Sequence, residues 1–190
     1  WASSLPSHAS IMTSTYPQVH GAFPNGKNLN PQFPTLAKIL KEQGYTNGAF
    51  VTNSLVGNQY NFQLGYDTFI DQAAFDFRNT TIAAWIHSLN LVRVYDRLTD
   101  NDLFTALAVS WIDQHQSGPF FLWMQWLYPH APYRPPAGYL RRFEKSPYTG
   151  IANGTLAQIE MINKKKLKLS PEDEAHYSAL YDGEVAFADA

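Results

Sequence analysis

The sequence predicts an α/β fold, a sheet with helices on both faces, and three observations carry that prediction. Residues 35–51 run from the amphipathic Thr35-Leu36-Ala37-Lys38-Ile39-Leu40 through Gly44 into the apolar Ala49-Phe50-Val51. That is the order of one helix–strand unit in such a sheet. Phe120-Phe121-Leu122-Trp123-Met124-Gln125-Trp126 is apolar almost throughout, the pattern of a central strand covered on both sides. The 190 residues are 45% hydrophobic, 15% aromatic and only 16% charged. A chain of that composition and length builds a packed core.

The remaining elements follow in order. The opening reads as a loop through Leu5 and a helix over roughly Ser7–Thr15, with Pro6 in the first turn, where a missing N–H costs nothing. Tyr16-Pro17 ends it, because the residue before proline is driven out of helical backbone. Prolines 17, 24, 31 and 34, with Asn25, Asn28 and Asn30, make residues 17–34 a loop. Thr35 is placed to cap the next helix, whose Leu36, Ile39 and Leu40 share a face. Gly44 stops that helix, and a short buried strand follows over Ala49–Thr52. Residues 53–72 are polar and irregular. Helices are expected over Ile82–Val94 and over Asp102–Gln114, where Leu103, Ala106, Leu107, Ser110 and Trp111 form a stripe. Ser117-Gly118-Pro119 breaks the second one. After the strand, Tyr128–Pro136 is a proline-stiffened loop. Lys164–Lys166 with Lys168 make a small basic run, and Ser170 caps a helix that runs from Pro171 to the end. No repeat and no linker divides residues 1–190, which are read as a single, partial domain. The sequons at Asn79 and Asn153 carry no weight without a secretory context.

Composition excludes several classes of function. Fourteen basic residues against 16 acidic ones give a net charge of −2, so there is no electrostatic footprint for nucleic acid. No apolar run reaches the roughly 18 residues of a membrane span. With no cysteine, disulfides, thiolate metal sites and a cysteine nucleophile are all ruled out.

The chemistry concentrates at the opening. Ser4-Leu5-Pro6-Ser7-His8 sets a hydroxyl at the entry to a helix, whose unpaired first-turn N–H groups favour a bound anion. His8 lies one turn further on. On these five residues alone, Ser4 reads as an N-cap and His8 as a surface histidine. A serine hydroxyl is a poor nucleophile at neutral pH without a base or a metal. No His–Asp pair stands beside Ser4 in sequence, so a metal is the easier route.

The longer pattern Pro6-Ser7-His8-Ala9-Ser10-Ile11-Met12-Thr13, then Tyr16-Pro17, then His20-Gly21, resembles the nucleophile segment of the sulfatase family, within the alkaline phosphatase superfamily. Thr35 to Val51, Gly65 to Asp71, Phe120 to Tyr133 and Tyr181 to Ala186 resemble further segments of the same family in the same order. The weakest stretch is 73–118. The resemblance implies an alkaline-phosphatase-like sheet, incomplete in this chain, and metal-dependent hydrolysis of sulfate or phosphate esters. By the same resemblance Ser4, as serine or formylglycine, is the nucleophile and one metal ligand. It makes His130 catalytic, contacting the ester oxygens or protonating the leaving group. His8 is taken as catalytic on its place one turn beyond Ser4, within reach of the same anion or its leaving group. Ser7 of the Pro-Ser pair is read as substrate-binding, and so is Asn53, on its own amide, which can donate to an anion but supplies no charge. The cofactor would be a divalent metal, calcium or another, and the partner a small-molecule or glycan ester.

Four departures qualify this. His8 stands where the family has arginine, part of the signal for formylglycine formation. Asn53 stands in the region of a family lysine and histidine; it is read equally as a turn residue ending a strand. Gln125 and Tyr128 replace a frequent histidine and aspartate. The acidic segments that supply most metal ligands match nothing between Trp1 and Ala190, so the chain reads as an interior piece of a longer protein. Asp182, Glu184 and Asp189 are read as helix surface and structural contacts, and His20, His87, His115 and His176 show no ligand spacing. His130 has its own bland reading, a loop histidine bonded to backbone. Two other functions stay in view: transfer of a phosphoethanolamine or phosphoglycerol group, and an inactive relative whose aromatic residues line a binding surface.

Overall fold

A computed structural model describes residues 3–23, 28–71, 100–144 and 146–190. The helix expected over Ile82–Val94 lies outside them. The described residues form a three-stranded parallel sheet of β1 (Thr46–Val51), β2 (Thr68–Asp71) and β3 (Phe120–Gln125), in the order β2-β1-β3. Val51 is level with Asp71 on one side and Gln125 on the other, so all three strands end at one edge. In open α/β sheets the carboxyl edge is where sites are built.

Two helical layers sandwich the sheet, as the α/β prediction requires. On one face, Leu5, Ala9 and Met12 of α1 (Ser4–Thr13) pack against Ala49 and Val51. On the other, Phe104, Ala108 and Trp111 of α4 (Asp100–Gln114) pack against Phe50. The alternation along β1 comes from the two-residue repeat of a strand. The short α2 (Pro17–His20) falls in the segment expected to be loop, with Pro17 at its first position. The side chain of Thr35 caps α3 (Leu36–Glu42) by accepting from the Lys38 N–H, as expected, and Gly44 follows it at φ +83°. The irregular segment after β1 holds two 3-10 turns, Ser54–Val56 and Asn58–Tyr60.

Several expectations are corrected. The first helix spans Ser4–Thr13 rather than 7–15; Ser14 takes left-handed backbone and stops it before Tyr16. The buried strand begins three residues early, at Thr46. The Phe120 strand is at the sheet edge among the described residues, and β1 is central, because β1 pairs on both sides. β2 was hidden in a stretch read as irregular. On α4 the buried face is Phe104, Ala108 and Trp111, while Ala106 and Ser110 are exposed. On α3 the buried residue is Ala37, with Leu36 and Ile39 exposed. A small side chain there lets the helix backbone close on Asn47, whose Nδ2 donates to the carbonyls of Ala37 (2.6 Å) and Gly65 (2.8 Å).

The chain forms two compact units, Trp1–Trp126 and Leu127–Ala190. The second holds α5 (Ala137–Leu140), α6 (Leu156–Asn163) and α7 (Pro171–Ala188). Thr155 caps α6, a helix with no counterpart in the sequence reading. Ser170 caps α7 through a reciprocal capping box with Asp173, as the sequence suggests. The buried Asp173 carboxylate also accepts from Tyr148 Oη and the Ile151 N–H. The Tyr148 hydroxyl, then the Ser170 backbone and hydroxyl, hold that carboxyl well below the usual carboxylate range. A depressed pKa contributes stability above the unfolded-state value, 3.8, and loses it as pH falls below that. The urea midpoint of the wild-type chain is therefore expected to fall more steeply between about pH 5 and pH 2.5 than that of Asp173→Asn. Equal slopes would remove Asp173 from the acid response.

Candidate active site

The site builds from the first turn of α1. Its N-cap is Ser3, in extended backbone, and Ser3 makes no side-chain capping bond. Ser4 is the first helical residue, which settles its position against the N-cap reading. Pro6 carries no N–H, so the Ser4 and Leu5 amides are the donors of this turn with no partner inside the helix. The turn holds no acidic residue, and the helix dipole there favours an anion. The apolar side of α1 is anchored by Leu5 and Ala9, both 0% exposed. Burying one leucine contributes about 2 kcal/mol, so the turn is held firmly. Ser4, Ser7 and His8 are all half-buried, and their i, i+3, i+4 spacing puts them on a common face.

His8 Nδ1 lies 2.8 Å from the Ser4 carbonyl oxygen. A carbonyl only accepts, so Nδ1 carries the hydrogen, and the neutral ring has its lone pair on Nε2. The ring centroid is 6.0 Å from that of Trp123 on β3. Trp123 in turn contacts Phe62 and Tyr66. The sequence reading took Trp123 as core alone. Strand alternation sets it two residues from Phe121 on one face, and that spacing was the available signal.

α1 also packs against the Ser54–Val56 turn that leaves the carboxyl end of β1. Asn53 begins that turn and is buried. Its Oδ1 accepts from the Leu55 N–H at 2.9 Å, so the turn role is real, and Nδ2 has no partner among the described residues. Thr52 beside it is fixed by its N–H (2.9 Å) and Oγ1 (3.1 Å), both donating to the Gln125 carbonyl. Gln125 itself donates from Nε2 to the Trp126 carbonyl, and its buried Oε1 has no partner among the described residues.

His20 is a satisfied core histidine. It is 1% exposed, its Nδ1 accepts from the Ala22 N–H, and the hydrogen this leaves on Nε2 faces Ser10 Oγ at 3.0 Å. Burial holds its pKa down. His130 belongs to the second unit, where it is exposed. Its Nδ1 donates to the Ala131 carbonyl at 2.6 Å, so the backbone bond of the bland reading exists and Nε2 remains. Thus Ser4, Ser7, His8 and Asn53 belong to the first unit and His130 to the second. Among the described residues no group of three or more His, Cys, Asp or Glu side chains is arranged to hold a metal ion.

The sulfatase family model matches residues 2–190. Among solved structures, a phosphonate monoester hydrolase of Agrobacterium radiobacter is similar over 99% of this chain and 48% of its own, at 17% identity and a TM-score of 0.65. A phosphonate monoester hydrolase from Silicibacter pomeroyi is similar over 97% of this chain and 47% of its own, at 16% identity and a TM-score of 0.65. The chain therefore spans just under half the length of these hydrolases, with which it shares the α/β, alkaline-phosphatase-like fold. No curated protein sequence matches it.

Proposed function

The chain belongs to the sulfatase family, and from that membership we propose that residues 1–190 are part of one catalytic domain that hydrolyses sulfate, phosphate or phosphonate esters through Ser4. The observation that carries this reading is the uncapped first turn of α1, with Ser4 at its first position and no acid to oppose an anion. The ester's charged oxygens sit against the Ser4 and Leu5 amides, the Asn53 amide donates to one of them, and the Ser7 hydroxyl to another. Ser4 Oγ attacks sulfur or phosphorus, and its proton passes to His8 Nε2. The bond to the leaving oxygen breaks, and the family resemblance assigns the proton that this oxygen takes to His130. Water then releases the acid from Ser4.

The family resemblance implies a divalent metal, with Ser4 as one ligand. The described residues alone do not fit such an ion, since no cluster of three ligating side chains exists among them. The chemistry proposed is therefore that of the chain's own groups, and the remaining ligands are expected from outside these residues.

Acid-quenching the full-length chain during turnover of p-nitrophenyl sulfate, and separately of phenyl p-nitrophenyl phosphonate, is expected to leave the acid covalently on the peptide that contains Ser4. Peptide mass spectrometry identifies the residue and distinguishes serine from formylglycine. Turnover with an adduct on another residue would overturn the assignment. Accumulation of a glycerol ester when glycerol is added would favour the group-transfer alternative over hydrolysis.

A further inference from the structure

Glu184 is 1% exposed, although its carboxyl group is expensive to bury. Its Oε1 accepts from the Arg134 backbone N–H at 2.5 Å, fifty residues away in sequence. Its Oε2 is buried with no hydrogen-bond partner among the described residues. Burial pushes its pKa up, and the Arg134 N–H acts against that shift. A leucine or methionine would fill this seam at lower cost, so the acceptor is the property that needs explaining.

The surroundings supply the explanation. Arg134 belongs to the proline-stiffened loop that carries His130, and α7 grips that loop on both sides of the histidine. Before it, the Tyr128 ring meets Phe187 edge-on at 5.4 Å. After it, Tyr133 meets Tyr181 edge-on at 5.6 Å, and its N–H donates to the Gly154 carbonyl at 2.9 Å. Pro135 lies against Gly183 so closely that a Cβ there would come within 2.9 Å of it. Residues 181, 184 and 187 recur at helical spacing along α7. Of these contacts from α7, the Glu184–Arg134 bond is the directional one.

We propose that Glu184 is a positioning residue for the His130 loop, its buried carboxyl oxygen fixing the backbone at Arg134 so that the imidazole is presented with Nδ1 tied to Ala131 and Nε2 turned outward. The consequence for catalysis rests on the reading of His130 as the leaving-group acid; the consequence for loop geometry does not.

The experiment uses the full-length chain with Glu184→Gln, Glu184→Met and Gly183→Ala. Long-range proton–nitrogen NMR of the histidine rings, with His130 identified by its loss in His130→Gln, reads the tautomer. The p-nitrophenyl sulfate and phenyl p-nitrophenyl phosphonate probes read kcat and KM. Glu184→Gln keeps an acceptor, so it should retain the wild-type His130 pattern and kcat within about twofold. Glu184→Met should mix the tautomers and lower kcat by about tenfold to a hundredfold with KM little changed. Should Glu184→Met fail to fold, Gly183→Ala, which pushes Pro135 while sparing the bond, decides by the same signals and should shift them in the same direction. Wild-type His130 signals in either Glu184→Met or Gly183→Ala would overturn the proposal. So would a Glu184→Gln variant as damaged as Glu184→Met. If the His130 signals shift as expected but His130→Gln turns over both probes normally, the positioning role stands and the acid assignment fails.

Discussion

With Ser4 replaced by alanine, the full-length chain is expected to lose about a thousandfold or more in kcat on either probe ester, while its thermal midpoint stays unchanged. The loss follows from the nucleophile assignment. Without Oγ no covalent intermediate forms, and what survives is binding of the anion at the helix turn, which typically accounts for a small residual rate. The unchanged stability follows from the position. Ser4 is the first residue of α1, the cap is Ser3, and the anchoring contacts come from Leu5 and Ala9. Alanine is the best helix former, so the substitution costs the helix nothing. Because the amides of the turn are backbone groups, KM should move little. Retention of wild-type kcat by Ser4→Ala would remove Ser4 as the nucleophile, and with it the reading of the first turn as the reaction centre.

Gly65→Ala is expected to destabilise the first unit by about 3 kcal/mol or more, measured by urea unfolding. Two independent costs add. The backbone at Gly65 has φ +98°, a conformation that side chains rarely adopt. A Cβ built there would lie 2.6 Å from the Lys38 nitrogen and 2.8 Å from the Ala37 carbonyl carbon. Both obstacles are backbone atoms of α3, so no side-chain rotation relieves them. Any shift would also disturb the two carbonyls that Asn47 Nδ2 ties together, leaving buried polar groups short of partners at roughly 1–3 kcal/mol each. A loss below about 1 kcal/mol would mean that the turn before β2 moves freely against α3.

How much of this was legible in sequence divides along the range of the interactions. The caps at Thr35 and Ser170, the glycine stop after α3 and the boundary at Pro171 depend on a side chain and a backbone group within a few residues, and all appear where the sequence places them. The motif from Ser4 to Gly21 was also readable, because its spacing lies within one helix and the turn that follows. β2 was not. Its four residues, Thr68–Asp71, show no alternation long enough to stand out, and they are a strand only because Val51 and its neighbours pair with them. The buried face of α4 was displaced around the helix because apolar residues cover more of it than the sheet can take.

For the proposed site, the candidate residues were legible and their environments were not. Taken by itself, the sequence determined the family, the α/β class, the local caps and a nucleophile candidate at a helix entry, since each is written in short-range pattern and backbone preference. Tertiary structure alone decided that β1 is central, that His8 turns Nδ1 to the Ser4 carbonyl beside Trp123, and that Glu184 is buried against Arg134. Those outcomes depend on which distant segments meet, and a carboxyl fifty residues from its donor carries no local mark of the bond it will make.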